Sequence, residues 1–353
     1  TQLNIGGGVV TVQASIQATR EHFAGALALM ADVLRNPAFA QEEFDLLREQ
    51  QLAMWEIQRS EPQVQAMLAL QRHMNPRDPD HPEYTQTVEE AIASLEALTV
   101  QDIRDFYTDF YGAEAATLSI VGAFEPDQAM ENIQSTFRDW NATNAFRRMA
   151  STHPAAPAED IQIETPDKAN AMFIAALDIP ISDGHEDAAA LTLANYIFGG
   201  GFLTSPLATR IRQEEGLRYG VGSHVSLHPN DEHGQFMAFA IYAPENRDAL
   251  EAAFREEVQK LIEEGITAEE LEAGIRGYLE FAELQRAQDQ SLAGTLNSNM
   301  YFGRTMAWHA EREAEIQGLT VGDLNEAVRR WIDPSKMTVV KAGDFAASTK
   351  VIG

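Results

Sequence analysis

Leu98-Thr99-Val100-Gln101-Asp102-Ile103 recurs further down the chain as Leu319-Thr320-Val321-Gly322-Asp323-Leu324, an offset of 221. Carried forward without a gap, that offset lays Thr117 on Thr338, Gly122 on Gly343 and Phe124 on Phe345. Both copies therefore read as a capped helix, a short loop, a strand and a glycine turn. Fixed-period self-similarity of this kind decides the architecture before any single motif does.

A second match lies upstream at an offset of 227. Arg20, Phe23, Leu27 and Leu34 fall on Arg247, Leu250, Phe254 and Leu261, the apolar stripe of an amphipathic helix. Phe39-Ala40-Gln41-Glu42-Glu43-Phe44 then falls on Ile266-Thr267-Ala268-Glu269-Glu270-Leu271. In the second copy Thr267 and Glu270 form a capping box, with Ile266 and Leu271 placed as a hydrophobic staple. The offsets differ by six residues, which predicts a longer loop in the first copy, around His73-Met74-Asn75-Pro76 to His81-Pro82. Each copy combines strands, two or more long helices and a closing strand. The expected class is α+β: two homologous domains, each with helices on one face of a mainly antiparallel sheet.

The expected boundaries are an incomplete domain over 1–140, a linker over 141–157 and a complete domain over 158–353. The linker carries Asn141-Ala142-Thr143-Asn144, Pro154 and Pro157 and little periodicity. The second copy has a lead segment, 160–233, before its strand at 234–240. The first opens almost directly at the matching strand, expected over 9–14, so its lead segment is missing before residue 1. The chain also begins Thr1-Gln2-Leu3, without Met or a signal-like run, so residue 1 is expected not to be the natural start.

Composition narrows the chemistry. The 353 residues hold 54 acidic against 26 basic side chains, a formal charge of -28, which excludes nucleic acid and anionic lipid as ordinary partners. A hydrophobic content of 44% excludes wholesale disorder. With no cysteine, thiolate zinc sites, disulfides and a cysteine nucleophile are impossible. No apolar run reaches the roughly 18–20 residues of a membrane span. Neither a G-x-S-x-G elbow nor a Walker loop occurs, and Gly6-Gly7-Gly8 precedes a strand and so cradles no phosphate.

The lead segment of the second copy is where chemistry concentrates. An apolar helix is expected over 185–198, ending in Gly199-Gly200-Gly201 as a flexible stop. Ser205-Pro206 supplies an N-cap and a first-turn proline for a helix running to about Glu215. Gly216 ends it, and a strand is expected over 217–227. This corner bears Arg210, Arg212, Arg218 and Tyr219.

Here the sequence resembles a family. Gly199-Gly200-Gly201, Leu207, Arg210-Ile211-Arg212, Glu215-Gly216-Leu217 and Tyr219-Gly220-Val221 are similar to the C-terminal domain signature of pitrilysin/insulinase-type zinc metallopeptidases, the inverzincins. Asn36-Pro37-Ala38-Phe39, residues 79–85, Phe106-Tyr107, Tyr111-Gly112 and Ala342-Gly343-Asp344-Phe345 extend the resemblance over nearly the whole chain. It lies nearest the second half of the large bacterial members, which carry two such halves in one polypeptide. The resemblance implies a half clam-shell without zinc of its own. Its last domain would reach, through Arg212 and Tyr219, to substrate bound at a zinc on the other half. Read without the resemblance, Tyr219 is a core tyrosine in step with Leu217 and Val221. Arg212 is then a surface partner of Glu214 or Glu215.

H-x-x-E-H is absent. The corresponding helix of the second copy reads His185-Glu186-Asp187-Ala188-Ala189-Ala190, with one His and no partner four residues on. His228-Pro229-Asn230-Asp231-Glu232-His233 is one residue too long and reads as a polar hairpin turn. Glu49 and Glu56 share a helix face. The resemblance makes Glu56 the third zinc ligand of a vestigial or severed site; their residue types alone indicate an exposed acidic face.

The resemblance therefore implies a non-catalytic, substrate-binding half that closes over peptides or unfolded proteins. Its partner is a zinc-bearing H-x-x-E-H half, on the same polypeptide or a separate subunit, and this chain alone is expected to be inactive and to bind no cofactor. The alternative is a metal-free scaffold or assembly subunit of the same fold. A periplasmic location is implied by the resemblance alone.

Overall fold

The computed structural model describes residues 1–151, 155–201, 205–211 and 220–348. The first copy forms a hairpin of β1 (Gln2–Gly7) and β2 (Val12–Gln17). It continues through α1 (Phe23–Arg35), α2 (Gln41–Gln58), α3 (Pro62–Met74), α4 (Val88–Ala97), α5 (Val100–Phe110) and α6 (Pro126–Phe137). The second copy opens with β3 (Asp160–Glu164), β4 (Ala171–Ile179), α7 (Ala188–Asn195) and α8 (Pro206–Thr209). The hairpin β5 (Val221–Leu227) and β6 (Gly234–Tyr242) follows. Then come α9 (Arg247–Glu263), α10 (Ala268–Arg286), α11 (Asp289–Phe302), α12 (Met306–Gly318), α13 (Val321–Trp331) and β7 (Thr338–Gly343).

The internal repeat is visible in three dimensions. Helices α2 and α10 begin 227 residues apart, as do α3 and α11, while α5 and α13 coincide at both ends under the offset of 221. The change of offset falls in the connection from α3 to α4, residues 75–87, against 303–305 in the second copy. Local chemistry repeats as well. Thr99 and Thr320 each accept from the backbone N–H three residues on, and Asp102 and Asp323 return a carboxylate to the threonine N–H at 2.8 Å. These reciprocal bonds satisfy N–H groups that a helix start leaves unpaired. Thr267 and Glu270 do the same for α10, and the staple pair Ile266 and Leu271 is buried. Arg104 of α5 donates to the Phe39 carbonyl at 2.9 Å. The equivalent Asn325 of α13 accepts from the Ile266 N–H at 2.8 Å.

The second copy builds a five-stranded sheet in the order β3-β7-β4-β6-β5, antiparallel except for the β3–β7 pair. Its central strand β4 is apolar on both faces because both are covered. Phe173, Ala175, Leu177 and Ile179 point into a core shared with α7, α9 and α13. Met172, Ile174 and Ala176 point the other way, where the cover is α3, a helix of the first copy. Ala66, Leu70 and Met74 of α3, spaced four residues apart, form its buried stripe against Ile174, Val340 and Ala342. Burying a leucine side chain of this kind contributes on the order of 1.5–3 kcal/mol. Polar contacts pin both ends of α3. Lys168 Nζ lies 2.7 Å from Glu61 Oε1, and a His73 ring nitrogen lies 2.7 Å from the Pro157 carbonyl.

The exchange is reciprocal. Ser119 and Ala293 are the repeat counterparts of Val340 and Ala66, and the Ser119 hydroxyl donates to the Ala293 carbonyl at 2.7 Å. Thr117 likewise meets Asn297 of α11. Each copy thus lends its third long helix to the other.

Three elements differ from the sequence reading. The closing strand expected near Thr117 forms no sheet. Its counterpart β7 is held between β3 and β4, and among the described residues no strand pairs with the segment near Thr117. The strand expected over 9–14 lies at Val12–Gln17, because Gly8 turns back on Thr11 (N–H to carbonyl, 2.9 Å) and spends residues 8–11 on the hairpin turn. The helix expected from His185 starts at Ala188. The His185 Nδ1 accepts the Asp187 N–H at 3.1 Å and keeps the preceding turn non-helical. Among the described residues, no helix is long and apolar enough to cross a membrane.

Candidate functional site

The corner that follows α7 is built by close packing. Helix α7 is mostly apolar, with Ala188, Ala189, Ala190, Leu191, Leu193 and Ala194 buried and Thr192 and Asn195 half-buried. Its start is fastened by Asp187, whose Oδ2 accepts from Trp331 Nε1 and from the Arg330 guanidinium, each at 2.7 Å. At its end the chain widens into one π-turn over Tyr196–Gly200, with the Gly201 N–H bonded to the Tyr196 carbonyl at 2.9 Å. Single π-turns of this kind concentrate at functional sites.

The glycine run is not a flexible stop. A Cβ on Gly199 would lie 2.5 Å from Ser223 Oγ, and one on Gly201 would lie 2.3 Å from the Tyr196 ring. Glycine is required there so that the turn can lie directly on β5. Beneath it, Asn195 Oδ1 and Ser223 Oγ are buried and find no hydrogen-bond partner among the described residues. Ser205 then caps α8, accepting the Ala208 N–H, with Pro206 in the first turn. Arg210 reaches Glu256 of α9 at 2.8 Å and holds that carboxyl below its usual range. Arg212, Arg218 and Tyr219, the residues singled out for this corner, lie outside the described residues. The buried Ile211 and strand β5 flank them in sequence.

Glu49 and Glu56 both lie exposed on α2. Glu56 is engaged by Arg59 at 3.0 and 3.1 Å, and Arg59 also reaches Glu89 at 2.7 Å. Among the described residues Glu49 makes no hydrogen bond or ion pair, and no group of three His, Asp or Glu side chains is placed to hold a metal ion. A zinc site needs several deprotonated N or O donors on one point. Glu56 in a guanidinium pair, with H-x-x-E-H absent from the sequence, does not make up such a set.

The segment from His228 to His233 is the turn of the β5–β6 hairpin, as its Pro, Asn and Asp indicate. The His228 Nδ1 accepts the backbone N–H groups of Asn230 and Asp231 at 3.1 and 2.9 Å. That lone pair is therefore engaged within the turn and not directed at a metal. Asp231 is the anchor of this turn. Arg148 grips it bidentately at 2.7 and 2.8 Å, and the Ser151 N–H donates at 2.8 Å. The guanidinium holds the buried carboxyl down at about 2.

A second clasp lies beside it. Arg304 binds Asp183 bidentately at 2.6 and 2.5 Å, donates to the Pro229 carbonyl and stacks over Trp308 at 4.2 Å. Neither clasp has a sequence signal, since Arg148–Asp231 and Arg304–Asp183 join residues far apart in the chain. Near the second clasp a cavity of about 330 Å³ opens between α7, α10 and α12, lined by Thr192, Tyr278, His309, Arg312 and Glu313. Burial lowers the His309 pKa, and its ring bonds Asn299 at 2.9 Å. With Arg286 held by Glu313, the cavity presents paired charges and no nucleophile–base couple.

Two αβ units with exchanged helices, the second closed by a helix–glycine–strand corner, are the features to set beside known proteins. The family described as the peptidase M16 inactive domain matches residues 97–278. The chain belongs to that family. It is 26% identical over 318 residues to an uncharacterized zinc protease of Rickettsia bellii, covering 89% of this chain and 74% of the relative. It is 19% identical over 340 residues to the non-peptidase homolog YmxG of Helicobacter pylori, covering 95% and 76%. The fold matches the crystal structure of a peptidase M16 inactive domain from Pseudomonas fluorescens. The TM-score is 0.77 at 21% identity, over 97% of this chain and 81% of the other.

Proposed function

We propose that this chain is the substrate-binding half of an M16-type zinc peptidase, closing over peptides or unfolded protein against a half that carries H-x-x-E-H. The observation that carries the reading is the second unit itself. It keeps the family's helix–glycine–strand corner, down to glycines that tolerate no Cβ, while α7 holds no histidine. A chain retained only as filler has no need of so tight a turn in the segment that leads, in sequence, to Arg212 and Tyr219. In this reading those two side chains hydrogen-bond the substrate carbonyl and stabilise its developing negative charge. Zinc on the other half supplies the activated water.

The test is peptide hydrolysis by the zinc-bearing half with and without this chain. Hydrolysis should require the chain, and Arg212→Ala should lower kcat about 10²-fold or more while KM changes little. Equal hydrolysis without the chain removes the reading. The name of the Helicobacter pylori relative, a non-peptidase homolog, favours the second reading, a metal-free scaffold or assembly subunit. That outcome is what the second reading predicts.

A further inference from the structure

Protein interiors are close-packed, and a space much larger than one water molecule between helices is unusual. The cavity of about 330 Å³ between α7, α10 and α12 is instead of the size that holds a small organic ligand. Polar bonds between elements fix its walls. Arg286 of α10 pairs with Glu313 of α12, and Arg312 of α12 donates to the Asp183 carbonyl ahead of α7. His309 of α12 bonds the buried Asn299 of α11 at 2.9 Å. Trp308, which also lines the cavity, lies under two guanidiniums, those of Arg304 at 4.2 Å and Arg312 at 5.3 Å.

The lining groups have bonding capacity to spare. Of the N–H groups of Arg286, only one on Nη1 is engaged among the described residues. Glu313 uses Oε1 for that pair, and its Oε2 has no partner among the described residues. The Tyr278 hydroxyl makes no hydrogen bond among them either, and burial raises its pKa, so it keeps its proton and can donate. These groups converge. Arg312 and Glu313 are charges that act on the Tyr278 hydroxyl, and Glu313 and Arg286 both act on His309. His309 itself, its pKa lowered by burial, adds no charge at neutral pH. The rest of the lining is largely apolar, including Ala188, Leu227, Ala282 and Met306.

A simple anion here would meet the Glu313 carboxylate, and a simple cation the Arg286 guanidinium. Only a ligand carrying both charges gains from both groups. We propose that this cavity binds an apolar amino acid or dipeptide as its zwitterion. The carboxylate takes the spare N–H groups of Arg286 and the Tyr278 hydroxyl. The ammonium donates to Glu313 Oε2, and the apolar side chain lies against Leu227 and Met306. With no nucleophile–base couple in the lining, the ligand is held and not turned over. Nothing in this site depends on the peptidase reading.

Calorimetric titration of the full chain with leucine and with alanyl-leucine tests the site. Saturable binding of at least one of them is expected. N-acetylation or C-terminal amidation of the ligand should weaken binding about tenfold or more, as should Arg286→Gln or Glu313→Gln in the chain. Tyr278→Phe removes a hydroxyl that bonds nothing among the described residues and should weaken binding about threefold to tenfold. Ala282→Leu leaves every charge in place and fills the cavity. It should abolish binding, with circular dichroism and the unfolding midpoint close to wild type. Absence of saturable binding by both ligands overturns the proposal. Undiminished binding by the Ala282→Leu chain, or by both charge variants, places the ligand elsewhere and overturns it too. Equal binding of the acetylated or amidated ligand overturns the zwitterion.

Discussion

Helices α3 and α11 hold the same place in the repeat and bury very different surfaces. Helix α3 lies on a complete sheet, and its Leu70 is 2% exposed. Helix α11 meets the segment that carries Thr117 and Ser119. Its counterpart of Leu70 is Asn297, which meets Thr117, and its counterpart of Met74 is Tyr301, left exposed. Against the sheet the buried stripe is apolar, and where α11 meets Thr117 and Ser119 a polar side chain and a hydroxyl-to-carbonyl bond take its place.

The largest effect should come from breaking the better-packed member. Leu70→Ala should destabilise by about 2–5 kcal/mol through lost burial and a cavity at the sheet, and Asn297→Ala by about 1 kcal/mol or less. Urea unfolding of the two variants checks the ratio, and equal losses would mean that α3 gains nothing from the sheet.

A smaller contrast separates the two hairpins. The β5–β6 turn is held by Asp231, whereas the β1–β2 turn relies on one backbone bond between Gly8 and Thr11. The folded Asp231 carboxyl titrates near 2 and an unfolded one near 4. Its stabilisation is therefore fully present above pH of about 4 and is lost as the pH falls through about 2. The shift corresponds to roughly 1–2 kcal/mol, with Arg148 partly open to solvent. Urea midpoints of the wild type and of Asp231→Asn, taken at pH 5 and at pH 2.5, should draw closer together at the lower pH.

The smallest contrast lies in the caps. Thr320→Ala should cost about 1 kcal/mol of global stability, because α13 is built into the core through Leu324, Ala327 and Val328. Thr99→Ala removes the equivalent hydroxyl bonds from α5, which has no buried residue. Its loss should appear mainly as faster local amide exchange in α5, with little change in the global midpoint.

Much of this was readable from residue types. The threonine caps, the Ile266–Leu271 staple and the six-residue difference in offset are local or periodic signals, and the structure carries all three. The strand expected near Thr117 does not form, because a strand is completed by neighbours and among the described residues none pairs with that segment. Gly199 to Gly201 look the same in a string whether they are loose or crowded. Only Ser223 and Tyr196, brought against them by the fold, distinguish the two. The Arg148 and Arg304 clasps belong to the same class, since their partners are chosen by chain path. Membership of the M16 inactive-domain family was legible because the order of several weak motifs survives where H-x-x-E-H does not. For Arg212 and Tyr219, the residues on which the functional reading depends, the sequence remains the source.

The exchange of α3 changes how this chain should be mapped genetically. The unit that is inherited together and the unit that folds together are not the same stretch of sequence. A substitution at Ala66 or Leu70 lies in the first copy, yet its phenotype would be written in the second, among strands that begin about a hundred residues later. Suppressors of such a defect belong in β4 and β7, not in the neighbouring helices of α3.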